Sequence, residues 1–140
     1  MCRLAFSALL FVFVGTSSWA AAGIVARVDI SKQIMTVYEN GAVAYSWKVS
    51  TGGRGYRTPR GSYRPTRLHK MWYSRKYDNA PMPHSIFFRG GYAIHGTDKL
   101  KSLGRPASHG CVRLHPGNAR ALFRLVKAHG AGNTRIVIQD

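Results

Sequence analysis

Asn40-Gly41 separates two stretches in which apolar and polar residues alternate, and that pattern is among the strongest local signals for a tight β-hairpin. Both residues tolerate positive φ, which a two-residue turn needs if its twist is to match the flanking strands. Residues 34–38 and 42–50 form the two arms, with Val43, Tyr45, Trp47 and Val49 on one face of the second. A looser alternation at 24–30, set off by the polar turn Ser31-Lys32-Gln33, makes the start an antiparallel meander. Further short strands are expected at 62–67, 86–88, 91–94, 112–114 and 135–139. One helix follows Pro116, where Ala119, Leu122, Phe123 and Val126 recur at helical spacing, and it ends near Gly130. The expected fold is mainly β, a single domain built as a small sandwich or barrel with one late α-helix.

A chain of 140 residues suits one core and not two. With 45% hydrophobic and 19% charged residues, its composition is that of a globular protein. Residues 1–22 read as an export signal, leaving 23–140 as the mature domain. Arg3 precedes an apolar run over 4–14, and Ala20-Ala21-Ala22 supplies the small residues of a cleavage site. The apolar run is shorter than the roughly 20 residues of a permanent span, so no transmembrane anchor is expected after cleavage. Cys2 precedes the apolar run, where a lipid-modified cysteine would follow it, and is lost with the leader. Cys111 is then the sole thiol of a chain expected in the periplasm or cell wall. Such a thiol is a nucleophile, a metal ligand, an intermolecular link or an inert buried group.

The 21 Lys and Arg against 5 Asp and Glu, a net charge of +16, favour polyanionic surroundings. For an exported chain these are anionic cell-envelope polymers and not nucleic acid. Residues 68–85 show little periodicity, contain Pro81 and Pro83 with Pro65 at their edge, and carry the cluster Lys70-Met71-Trp72-Tyr73-Ser74-Arg75-Lys76-Tyr77. A long irregular stretch inside a small domain reads as a lid loop. Trp72 and Tyr73 there either cover a substrate or plug the core.

The densest chemical signal is Ser108-His109-Gly110-Cys111. A thiol of ordinary pKa is only a few per cent thiolate at neutral pH, and an adjacent imidazole is the usual means of activating it. His109 would share a face with Cys111 in an extended segment, whereas His95 ends a strand and could meet it only through the fold. Spacing does not choose between them. Gly110 lets the backbone turn sharply or lets a carbonyl approach backbone N–H groups, as an oxyanion site requires. The histidine's orienting partner is either Asp98 or a backbone carbonyl. A zinc site from His95, His109, Cys111 and His115 is the rival reading. It lacks a C-x-x-C or H-x-x-x-H framework and has the cation Arg113 beside it, so no metal is expected.

Ile94-His95-Gly96-Thr97, Leu103-Gly104 and Ser108-His109-Gly110-Cys111-Val112-Arg113-Leu114 together resemble the signature of the YkuD-type L,D-transpeptidases, which remodel peptidoglycan through a cysteine. Thr58-Pro59-Arg60-Gly61 is similar to that family's Thr-Pro-x-Gly segment. The resemblance implies Cys111 as nucleophile, His95 as general base and acid, and the Gly110-Cys111 backbone as oxyanion site. It also implies that Ser108, His109 and Arg113 shape the site, although many members have Asn where Arg113 stands. Substrate contacts are expected from Tyr92, Gly96 and Thr97, and from Trp72 and Tyr73 in the lid. No cofactor is implied, and the partners would be peptidoglycan stem peptides. Two alternatives stand beside transpeptidation: an L,D-carboxypeptidase using the same site, and a non-catalytic basic cell-wall-binding module.

Overall fold

Hairpin chemistry at the start of the chain sets the first sheet. The computed structural model describes residues 23–140, and the proposed leader at 1–22 lies outside them. β1 (Ile24–Asp29), β2 (Ile34–Glu39) and β3 (Ala42–Lys48) form the expected antiparallel meander. At its second turn Asn40 and Gly41 both have positive φ, +49° and +83°. The last strand, β9 (Thr134–Gln139), then lies parallel to β1, with Ile24 opposite Thr134 and Val28 opposite Ile138. A short β4 (Gly61–Tyr63) completes a five-stranded sheet in the order β3-β2-β1-β9-β4. β4 is shorter than the expected 62–67 strand because Pro65 has no N–H to give a ladder. Residue 67 already belongs to the second sheet.

That second sheet has four strands in the order β5-β6-β7-β8: β5 (Arg67–Ser74), β6 (Ala80–Arg89), β7 (Tyr92–Gly96) and β8 (Val112–Leu114). The expectation of a lid loop over 68–85 is corrected here. The stretch is a β-hairpin, paired from Arg67↔Phe87 to Ser74↔Ala80. A 3-10 turn at Arg75–Tyr77 and the left-handed pair Asp78 and Asn79 close it. Pro81 and Pro83 sit opposite Tyr73 and Met71. β6 pairs with β7 only from Ile86 to Arg89, so these prolines stand where the strand has a partner on one side alone, and a proline's missing N–H is tolerated there.

α1 (Pro116–His129) packs against β6 and β7. His115 caps its start, its Nδ1 accepting the Gly117 N–H at 3.1 Å, and Gly130 follows its end. Ala119, Leu122, Phe123 and Val126 face inward, as their spacing requires. They join Met35, Val37, Ile94, Leu114 and Ile136 in one main cluster between the layers. A smaller cluster of Met82, Phe87 and Ala93, with Trp72 and Cys111 against it, lies apart from the main one. The apolar face expected on β3 is only partly buried: Val43 is 64% and Tyr45 42% exposed, while Val49 is fully covered. β3 is an outer strand of its sheet, paired only with β2 among the described residues, and of its large side chains Trp47 is the one packed against the main cluster.

Candidate active site

Two neighbouring strands bring the sulfur and the imidazole together. β7 and β8 pair in parallel with His95 opposite Arg113, and Cys111 immediately precedes β8. The Ala93 N–H points at Cys111 Sγ at 3.4 Å. Side chains two apart on a strand share a face, so His95 projects to the same side as Ala93. Both Cys111 and His95 line one cavity of about 640 Å³.

The loop carrying the sulfur is laced to the segment after β3. Ser50 and Arg113 exchange both backbone hydrogen bonds, at 3.0 and 2.9 Å, and the Thr51 carbonyl accepts the N–H groups of Ala107 and Ser108. Ser108 Oγ donates to the Cys111 carbonyl at 2.6 Å and accepts the Gly110 N–H at 3.0 Å. Thr58 Oγ1 accepts the Gly52 N–H at 2.9 Å and donates to the Gly110 carbonyl at 2.8 Å. Gln33, 3% exposed, holds Thr51 from behind through Nε2 to Thr51 Oγ1 at 2.7 Å and Oε1 from the Thr51 N–H at 3.0 Å. Neither Thr58 nor Gln33 stands out as a site residue in the sequence. Thr58 lies in the Thr-Pro-x-Gly segment, a signal that could have found it. Gln33 reads there only as part of a polar turn.

Gly110 has φ +116°, and a Cβ there would stand 2.6 Å from Tyr92 Cε1. The space its missing side chain leaves is therefore filled by the Tyr92 ring, which packs on the core and does not line the cavity. Tyr92, expected as a substrate contact, is thus placed behind the loop that carries the sulfur. Gly96 does not line the cavity either: a Cβ there would meet Pro83 and Pro116 at 3.0 and 3.2 Å, and its carbonyl is bonded by His95 Nδ1 at 2.7 Å. A carbonyl only accepts, so Nδ1 carries the proton and Nε2 is left as the basic nitrogen. The orienting group is thus a backbone carbonyl and not Asp98.

Thr97 and Trp72 line the cavity, but Tyr73 does not and is 55% exposed. Alternation along β5 sends neighbouring side chains to opposite faces, so Tyr73 points away from the one Trp72 covers. Trp72 meets Phe87 edge to face at 5.6 Å, placing it in the smaller cluster as well as in the cavity wall. His109 is stacked by Tyr77 from the hairpin tip at 4.0 Å and met edge-on by Tyr56 at 4.7 Å. The hairpin thereby closes over the loop beside the sulfur.

Burial governs the proton states. His95, 6% exposed, has its pKa lowered from 6.5 to about 4, chiefly by desolvation, with the Gly96 hydrogen bond opposing and Arg113 adding to the shift. Burial pushes the Cys111 thiol up, against the Ala93 N–H and Arg113, which favour the thiolate. The His109 pKa is lowered by burial and then by Arg113, Lys99 and Lys76. A neutral thiol beside a neutral imidazole follows for Cys111 and His95 near neutral pH. Among the described residues no three His, Cys, Asp or Glu side chains gather closely enough to hold a metal. His115, one member of the zinc rival, is turned to the helix cap. No helix among the described residues is long and apolar enough to cross a membrane.

The fold matches solved L,D-transpeptidases. One from Mycobacterium smegmatis is 22% identical at a TM-score of 0.76, over 85% of this chain and 59% of that one. One from Xylanimonas cellulosilytica is 28% identical at 0.73, over 86% and 62%. L,D-transpeptidase 3 from Mycobacterium tuberculosis, solved with a faropenem-derived adduct, is 20% identical at 0.71, over 84% and 60%. The matches thus span about three fifths of those longer chains. No curated protein matches. Residues 23–138 match the model of the L,D-transpeptidase catalytic domain, YkuD. With that match over most of its length, carried on the two-sheet fold just described, the chain belongs to the L,D-transpeptidase catalytic-domain family.

Proposed function

We propose that this domain is a cysteine acyltransferase acting on peptidoglycan tetrapeptide stems. The observation that carries the reading is Cys111 and His95 facing one cavity, with His95 Nδ1 committed to the Gly96 carbonyl and Nε2 free to take a proton. In the first step the Cys111 S–H proton passes to Nε2 as sulfur bonds to the carbonyl carbon between the diamino acid and the terminal D-Ala. The carbonyl electrons move onto oxygen. Because Ser108 Oγ takes the Gly110 N–H, Cys111's own N–H is the donor of that pair left for the oxyanion. When the oxyanion collapses the C–N bond breaks, the imidazolium gives its proton to the departing D-Ala amine, and a thioester remains. In the second step an amine of another stem attacks the thioester, His95 takes its proton, and sulfur leaves to be reprotonated.

The neutral resting pair suits this sequence of steps, since charge forms only once a substrate has displaced water from the cavity. Export through residues 1–22 would place the mature domain at 23–140 in the periplasm or cell wall beside such stems. The basic surface suits the anionic polymers found there. Family membership supports the reading, as does the faropenem-derived adduct carried by one enzyme of the same fold.

Intact-protein mass spectrometry with a synthetic tetrapeptide stem tests it. The expected result is an adduct equal to the stem less D-Ala on the wild type and none on Cys111→Ala. An adduct on Cys111→Ala, or no adduct on either protein, would refute the scheme. Adding an amine acceptor then separates cross-linking from the carboxypeptidase alternative, in which only water resolves the thioester. N-terminal sequencing of the exported form tests the leader, for which a start at or near residue 21 or 23 is expected.

A further inference from the structure

Five cations, Arg67, Arg75, Lys76, Lys99 and Arg113, line the cavity over Cys111 against two acids, Asp78 and Asp98. None of the seven belongs to an ion pair among the described residues. Two of the cations are held in place. The Arg67 guanidinium lies 4.0 Å over the Phe87 ring and 5.0 Å from that of Trp72, and Arg113 Nη1 donates to the Ala107 carbonyl at 3.3 Å. A guanidinium already fixed loses less freedom on meeting an anion than a mobile lysine does.

The pairing register places Arg67 relative to the sulfur. Arg67 is opposite Phe87, Phe87 is opposite Ala93, and the Ala93 N–H points at Cys111 Sγ. All four residues therefore stand in one row across the sheet. Phe87 is two strand spacings, about 10 Å, from the strand of Cys111. A guanidinium above Phe87 can thus bond a group roughly 7 Å from the scissile carbonyl, the length of two extended residues. A tetrapeptide stem carries carboxylates at that range: the α-carboxylate of its γ-linked glutamate and, where the diamino acid has one, its second carboxylate.

We propose that Arg67 is a specificity residue that receives a free carboxylate of the donor stem, so that the cavity favours acidic stems over those in which this carboxyl is an amide. The proposal rests on the acyl-transfer reading above. An ionised acceptor makes the stronger, charge-assisted bond to a guanidinium, and an amide forfeits it. Arg113, in register with His95 beside the sulfur, adds field of the same sign.

The test is the rate of Cys111 acylation, followed by mass spectrometry, with three synthetic donors: the free acid, the glutamate α-amide and the amide of the diamino acid's second carboxyl. The wild type is expected to acylate from the free acid about tenfold faster than from one of the two amides, and which amide it is names the carboxylate involved. Arg67→Gln should bring that ratio close to one, and Arg67→Lys should restore part of it. Thermal melting of both variants checks that they are folded. Equal acylation from all three donors by the wild type, or an undiminished preference in folded Arg67→Gln, would overturn the carboxylate assignment while leaving acyl transfer standing. Failure of every donor to acylate Cys111 would remove both.

Discussion

Two hairpins in this domain turn on the same backbone device. Asn40 and Gly41 reverse β2 into β3, and Asp78 and Asn79, both at φ +53°, reverse β5 into β6. Their faces then meet different surroundings. β2 sends Met35 and Val37 into the main cluster, where both are fully covered. The outer part of the second hairpin sends Trp72 and Met82 into the small cluster beside Cys111, while its tip stacks Tyr77 on His109. One hairpin builds the fold, and the other roofs a cavity. A strand whose inner face lines a cavity has no need of regular apolar alternation, which is why the second hairpin is the harder one to recognise from its residues.

The largest effect is expected on the first hairpin. Met35→Ala should cost about 2–5 kcal/mol by urea denaturation, since it removes a fully buried side chain from the main cluster. Acylation per folded molecule should survive. A small stability loss with a large loss of acylation would reverse the roles assigned to the two hairpins.

The roofed site should show itself next, in the pH dependence of stability. The folded pKa of His95, about 4, lies below its ordinary 6.5, so between those values the unfolded chain binds more protons than the folded one. Stability therefore rises with pH across that window, by about 3 kcal/mol in all, and the contribution is lost as pH falls toward 4. Urea midpoints measured from pH 4 to 7 check this. His95→Asn should flatten the profile, and an unchanged slope would show that other groups set it.

Smaller again, Trp72→Ala should cost about 1–2 kcal/mol. Its signature is a shift of product from amine transfer toward hydrolysis, because opening the roof admits water to the thioester. An unchanged product ratio would mean that the ring only packs. Tyr73→Ala, on the exposed face, should stay within about 0.5 kcal/mol with an unaltered product ratio. A product shift as large as that of Trp72→Ala would contradict the placing of the two rings on opposite faces.

Local chemistry accounts for what is legible in the order of the residues. The Asn-Gly turn, the alternation of β2, the helical spacing after Pro116 and the motif around Cys111 are all written over a few consecutive residues, where sterics and periodicity act directly. These signals are enough to make the chain mainly β with one late helix, and to single out a thiol with a histidine near it, in the motif or the fold, as its densest chemical group. The parallel docking of β9 on β1, the hairpin in place of a loop over 68–85, and the carbonyl of Gly96 as the partner of His95 come about only as the strands assemble. The same is true of Gln33 and Thr58 bracing the Cys111 loop from 18 and 52 residues away in sequence from the groups they bond. Such pairings depend on loop closure and on which faces meet. A side chain's own type carries no record of a partner that distant along the chain, and it is burial that turns such a contact into a requirement.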